Sequence, residues 1–181
     1  MARASGWSRS TVPASGAPLH IGFDAVTGRI VASILTDRDV DDASQVGPLL
    51  DQITDAVEVP LGDGGYDRTN VYTALDERHP DVKVIVPPRS DAVLSATADT
   101  EPTQRDRHIQ AIAGTGRMAW QRDSGYTQRA GVEGQFARWK QVIGDGLRFH
   151  SDEARATEVA IAAQVLNRML DLGCPNSVRV A

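Results

Sequence analysis

From residue 19 onward the apolar side chains recur with two distinct periods. Leu19, Ile21 and Phe23 alternate with His20, Gly22 and Asp24, the period of a strand. Asp24-Ala25-Val26-Thr27-Gly28 carries turn residues, and residues 29–35 (RIVASIL) are apolar and β-branched, so 19–35 predicts a hairpin. Val46, Leu49, Leu50 and Ile53 then fall at i, i+3, i+4 and i+7, one face of a helix. Asp41 and Asp42 place negative charge at its start. Residues 57–61 predict a short strand that runs straight into Gly62-Asp63-Gly64-Gly65-Tyr66-Asp67. A helix over about 69–78 turns Val71, Ala74 and Leu75 inward, and Asp67 is expected to help begin it. Residues 83–86 predict a buried strand, stopped by Pro87-Pro88 because proline cannot continue a ladder.

The second half is helical. Residues 89–104 are polar and irregular, and 104–113 predicts a short helix closed by Gly114 and Gly116. A long helix is expected over 127–143, ended by Gly144. A last one is expected over 153–172, with Gly173 and Pro175 as its stop. The order β-β-α-β-α-β, an insertion and two long helices describes an α/β domain without internal repeats.

Residues 1–18, MARASGWSRSTVPASGAP, break this pattern. They are dominated by Ala, Ser, Gly, Pro, Arg and Thr, with Trp7 and Val12 among the few large apolar side chains. They lack the apolar core of a signal peptide, and their composition reads as a disordered leader. Two units follow: a leader over 1–18 and a domain over 19–181.

Composition narrows the picture. At 181 residues with 41% hydrophobic and 24% charged positions, the chain is long enough for one well-cored globular domain. No apolar run reaches the roughly 20 residues of a spanning helix, so no membrane partner is expected. The single Cys174 excludes a disulfide framework and a cysteine-rich zinc site, and His20, His79, His108 and His150 are scattered. These features suit a cytoplasmic protein. The net charge of −5 excludes a globally basic coat but is unevenly spread. Residues 1–104 carry 8 basic and 16 acidic side chains, whereas residues 105–148 carry 8 basic and 4 acidic ones. The positive field therefore sits on the segment that holds the long helix.

On that helix, Tyr126, Arg129, Glu133 and Lys140 project from one strip about 60° wide if the helix reaches back to Tyr126. Val132, Phe136, Trp139 and Ile143 form the apolar stripe beside it. One acid is thus flanked by two cations, an arrangement that also suits a plain solvated face. Asp63, at a strand end between glycines, stands where α/β sheets gather functional groups, though Asp-Gly is also a common turn. A strand-end carboxylate plus a helix carboxylate suggests a split site for hard divalent cations. Two such ions can clamp the attacking and leaving oxygens of a phosphodiester while Arg and Lys hold phosphates.

The sequence Tyr126-x2-Arg129-x3-Glu133-x6-Lys140 resembles the Y-(2)-R-(3)-E-(6)-K signature of bacterial insertion-sequence transposases of the DDE class. Gly62 to Asp67 is similar to the family's second-aspartate motif. Residues 19–24 and 27–31 resemble its second and third strands, and residues 165–169 with Leu172-Gly173 its closing helix. The resemblance implies a ribonuclease H-like mixed sheet with flanking helices. In that fold three carboxylates hold two Mg²⁺ or Mn²⁺ ions for hydrolysis and strand transfer at transposon ends. It implies Asp63 and Glu133 as metal ligands, and Tyr126, Arg129 and Lys140 as contacts to DNA. It implies DNA as partner, with association to the nucleoid, and a homodimer or a full-length transposase as possible protein partners.

One part of the pattern is missing. The family's first aspartate ends a first strand, and no Asp or Glu precedes Asp24 here. Asp24 closes the second strand and is a poor substitute. The first, central strand, which lies between the second and the fourth, is therefore expected to be absent. That would leave the domain at 19–181 partial, behind a disordered or out-of-frame leader, and marginal unless another segment fills the gap. Strand cleavage by this chain alone is expected to be defective. The alternative is a non-catalytic remnant that binds DNA or the full-length transposase.

Overall fold

A computed structural model describes residues 4–11, 17–144 and 146–173, with the backbone alone for 4–11. Cys174 and Pro175, expected beyond the last helix, lie outside the described residues. Four strands form one mixed sheet: β1 (Ala4–Thr11), β2 (Pro18–Asp24), β3 (Ile30–Leu35) and β4 (Val59–Leu61), in the order β3-β2-β1-β4. The helices are α1 (Val46–Leu50), α2 (Thr69–Arg78), α3 (Gln104–Thr115), α4 (Arg117–Ser124), α5 (Arg129–Val142) and α6 (Asp152–Leu172).

The expectation of an empty central position is corrected. β1 runs antiparallel to β2, from Ser5 opposite Asp24 to Thr11 opposite Pro18, and parallel to β4, from Ala4 opposite Val59 to Gly6 opposite Leu61. The physical reason is the slot itself. Between two strands, backbone hydrogen bonds are available on both sides, and filling them avoids costly unpaired groups whatever the side chains are. A first strand lying between the second and the fourth is the arrangement that a ribonuclease H-like core requires.

Two cores explain why β2 is buried along its whole length. On one face Leu19, Ile21 and Phe23 pack with Val132, Phe136 and Trp139 of α5 and with Val159, Ala162 and Leu166 of α6. The Phe23 and Phe136 rings meet edge to face at 5.5 Å. A second cluster joins Ala32 to Val46, Leu49 and Leu50 of α1 and Val71 and Leu75 of α2. Helices thus cover both faces, so even His20 is buried, with its Nε2 3.0 Å from Thr36 Oγ1. The outer edge of β3 is also held: the Asn167 side chain accepts from Ile30 N–H and donates to Ile30 C=O, both at 2.8 Å.

Four local expectations change. α1 stops at Leu50, because Gly47 and Pro48 leave little helix to propagate, and short turns carry the chain to a still-packed Ile53. The strand expected over 83–86 contracts to one parallel bridge, Leu61 with Ile85, before Pro87 ends it. Gly114 lies inside α3, while Gly116, at φ +85°, closes it as expected and separates it from α4. The helix carrying the polar strip begins at Arg129, and Tyr126–Gln128 forms a 3-10 turn before it.

Candidate active site

The loop after β4 is shaped by its glycines. A Cβ on Gly62 would lie 3.1 Å from Val86 and 3.2 Å from Tyr66, so a larger residue there would press on both side chains. Asp63 then caps the 3-10 turn Gly64–Tyr66, with its Oδ1 accepting from Gly65 N–H at 2.9 Å. A Cβ on Gly65 would sit 2.9 Å from that same oxygen, and 3.4 Å from a carboxylate oxygen of Asp42. The loop thus folds the Asp63 carboxylate back on its own backbone and leaves Oδ2 pointing elsewhere.

Oδ2 meets α5. Arg129 donates from Nη2 to Asp63 Oδ2 at 3.1 Å and from Nη1 to Glu133 Oε1 at 2.5 Å. One guanidinium therefore joins carboxylates from two elements 70 positions apart in the chain. Its exposure is unequal to theirs: the Arg129 side chain is 11% exposed, Asp63 38% and Glu133 68%. The buried Nε of Arg129 has no acceptor among the described residues.

Tyr126, in the preceding turn, lies within electrostatic range of this cluster. Its ring lies 5.6 Å from that of Trp120, which is 5.3 Å from His108. Burial raises the Tyr126 phenol above its ordinary pKa. The charges of Asp63 and Glu133 push the same way, and Arg129 and Arg117 oppose them. The hydroxyl therefore stays protonated and able to donate at neutral pH. Lys140 is exposed in the last turn of α5, roughly 10 Å along the axis from Glu133. It shares their strip but not their contacts.

The structure thus brings together Asp63, Arg129 and Glu133, with Tyr126 within electrostatic range, and leaves Lys140 apart. Asp24 is spent elsewhere: its Oδ1 accepts from Val26 and Thr27 N–H at 2.9 and 3.1 Å. It lies opposite Ser5, whose parallel neighbour is Pro60, three residues short of Asp63. Asp67 does not begin α2, contrary to expectation. It is fully buried, and its two oxygens pair with Arg105 at 2.6 and 3.1 Å, while Arg89 N–H adds 2.9 Å. The bridging role of Arg129 and the Trp120 shelf under Tyr126 were hidden in the sequence. Only the i, i+4 spacing of Arg129 and Glu133 hinted at half of the bridge.

The two carboxylates offer oxygen donors of the kind a hard divalent ion takes, with water completing its shell. Among the described residues no group of three or more His, Cys, Asp or Glu side chains is arranged to hold a metal. β1, which runs beside β4, carries no acidic residue at all. No described helix is long and apolar enough to cross a membrane.

The catalytic core domain of BIV integrase is similar in structure, at 9% identity and a TM-score of 0.40, over 93% of this chain and 98% of that one. Residues 14–170 match the family described as the transposase DDE domain, a span that includes the Asp63 loop and all of α5. By that match the chain belongs to the DDE transposase family, whose members act in DNA transposition and recombination.

Proposed function

We propose that the Asp63 loop and α5 form the DNA-processing centre of a transposase, and that this centre is short of one carboxylate. The observation that carries the reading is the shared guanidinium: Asp63 and Glu133, far apart in sequence, converge on Arg129 at 3.1 and 2.5 Å. Asp63 and Glu133 are the side chains suited to hold a Mg²⁺ or Mn²⁺ ion. Such an ion supplies charge stabilisation to the oxygens of a phosphodiester during hydrolysis and strand transfer. Around it, Arg129 and Lys140 offer cations to the phosphates of a transposon end, and the protonated Tyr126 offers a hydroxyl donor. Trp120 packs against the Tyr126 ring. No second ion and no cleavage step is assigned to this chain alone, because the strand beside β4 reads ASGWSRST, without an acid.

The charge distribution supports the same partner. The segment 105–148, which includes α5, has twice as many basic as acidic side chains within a chain of net charge −5. A DNA contact made by that segment depends steeply on salt, each neutralised phosphate adding about 0.9 to the slope of log K against log salt. Fluorescence anisotropy of labelled duplex DNA with the full chain, titrated at several salt concentrations, tests this. The proposal expects salt-sensitive binding that weakens in Lys140→Ala. Binding that is absent at low salt, or unaffected by that substitution, contradicts it. A remnant that pairs with a full-length transposase instead shows its affinity in a mixture of the two proteins, without DNA.

A further inference from the structure

We infer that Arg129 is the resident counter-ion of the Asp63–Glu133 pair and leaves it when a divalent cation enters, so that one side chain couples metal binding to phosphate binding. The inference rests on the proposed use of these two carboxylates. It adds an exchange that neither the family match nor the motif spacing contains.

The guanidinium occupies the line between the two acids, with a separate nitrogen on each: Nη2 on Asp63 Oδ2 and Nη1 on Glu133 Oε1. Asp63 and Glu133 are the residues that would hold an ion shared by both carboxylates, and the guanidinium already takes one oxygen of each. A divalent ion drawn to both carboxylates therefore competes with the guanidinium for them. Replacing one positive charge by two against a pair of carboxylates also neutralises them fully, which favours the exchange.

The attachments differ in how firmly they hold. Asp63 is fixed from behind, because its other oxygen accepts from Gly65 N–H at 2.9 Å. Glu133 is 68% exposed on the outer face of α5 and free to change rotamer. Arg129 is mostly buried, yet its Nε has no acceptor among the described residues, so two carboxylate contacts are what satisfy this guanidinium. Once displaced, it is a cation without an anion. A phosphodiester oxygen answers that need. Ion and phosphate then favour one another, and by linkage each raises the affinity of the other by the same factor.

The test is Mn²⁺ binding to the full chain, followed by the spin-resonance signal of free Mn²⁺, in the unaltered protein, Arg129→Gln, Arg129→Lys and Glu133→Gln. Arg129→Gln is expected to bind Mn²⁺ about fivefold more tightly than the unaltered chain, the order expected for releasing two part-exposed ion pairs. Arg129→Lys, which can reach only one carboxylate, is expected in between, and serves alone if the Gln variant does not fold. Glu133→Gln is expected to bind more weakly than the unaltered chain. Adding short duplex DNA should tighten Mn²⁺ binding severalfold in the unaltered chain and leave Arg129→Gln unchanged. Equal or weaker Mn²⁺ binding by both Arg129 variants overturns the exchange, and so does a failure of every chain to bind the ion. Tighter binding by Arg129→Gln in a protein that ignores DNA keeps the exchange but overturns its coupling to phosphate, and rejects the transposition reading with it.

Discussion

Asp63 and Asp67 sit four residues apart on one glycine-rich loop and are used in opposite ways. Asp67 is fully buried, with both oxygens taken by Arg105 and a further bond from Arg89 N–H. Asp63 is part-exposed, gives one oxygen to its own turn, and shares the other's cation with a second acid. The Asp67 pair anchors the insertion 89–105 to the loop and has no capacity left over. At Asp63 charges are under-matched, two acids to one guanidinium, which leaves a negative site where a divalent cation can compete with Arg129. The contrast shows how one short motif separates a structural acid from a chemical one: by how completely each is satisfied.

The largest effect that would break this contrast is on stability. Asp67→Ala leaves the part-buried Arg105 without its partner and is expected to cost about 3–5 kcal/mol in a denaturant titration. Asp63→Ala is expected to cost no more than about 1 kcal/mol in the same titration, because its ion pair is part-exposed. Equal costs would erase the distinction. Gly65→Ala sharpens it from the other side. Its Cβ would crowd Asp63 Oδ1, so it should dislodge the carboxylate and weaken Mn²⁺ binding severalfold while the melting temperature falls only a few degrees.

Acid stability separates the two acids from a third. Burial pushes the Asp106 carboxyl upward, but four hydrogen bonds, from Ser95 and Thr103 backbone and hydroxyl groups, outweigh it and hold the pKa well below the usual carboxylate range. A depressed folded-state pKa means stability that is present in full above the unfolded value near 3.8 and is lost as pH falls below it. Asp106→Asn should therefore be less stable at neutral pH and lose less stability between about pH 4 and pH 2, measured by urea titrations across that range. Smallest of all, Lys140→Ala should leave stability within about 0.5 kcal/mol and lower the salt slope of DNA binding by about 1.

What the sequence made legible follows the same physics. α2 begins and ends as the spacing of Val71 and Leu75 predicts, because an apolar stripe decides a helix locally. β1 was invisible because nothing local makes it: ASGWSRST has neither alternation nor β-branched density, and its strand geometry comes from the two neighbours that flank it. α4 was missed for a related reason, since RMAWQRDS buries little beyond Trp120 and is delimited by two glycines at φ +85°. The site divides likewise. The Tyr126–Arg129–Glu133–Lys140 strip could be drawn from helical angles, but the Asp63–Arg129 contact depends on a loop brought in by β4. No spacing along the chain encodes it.

A carboxylate pair that acts on DNA but lacks one acid should bind DNA without cutting it. The direct measurement is nicking of supercoiled plasmid DNA by the full chain with Mg²⁺ or Mn²⁺, run beside Glu133→Gln and at salt concentrations where the chain binds DNA. The account predicts bound but intact plasmid with both proteins. Metal-dependent nicking by the unaltered chain that disappears in Glu133→Gln would contradict it, and would mean that two carboxylates suffice.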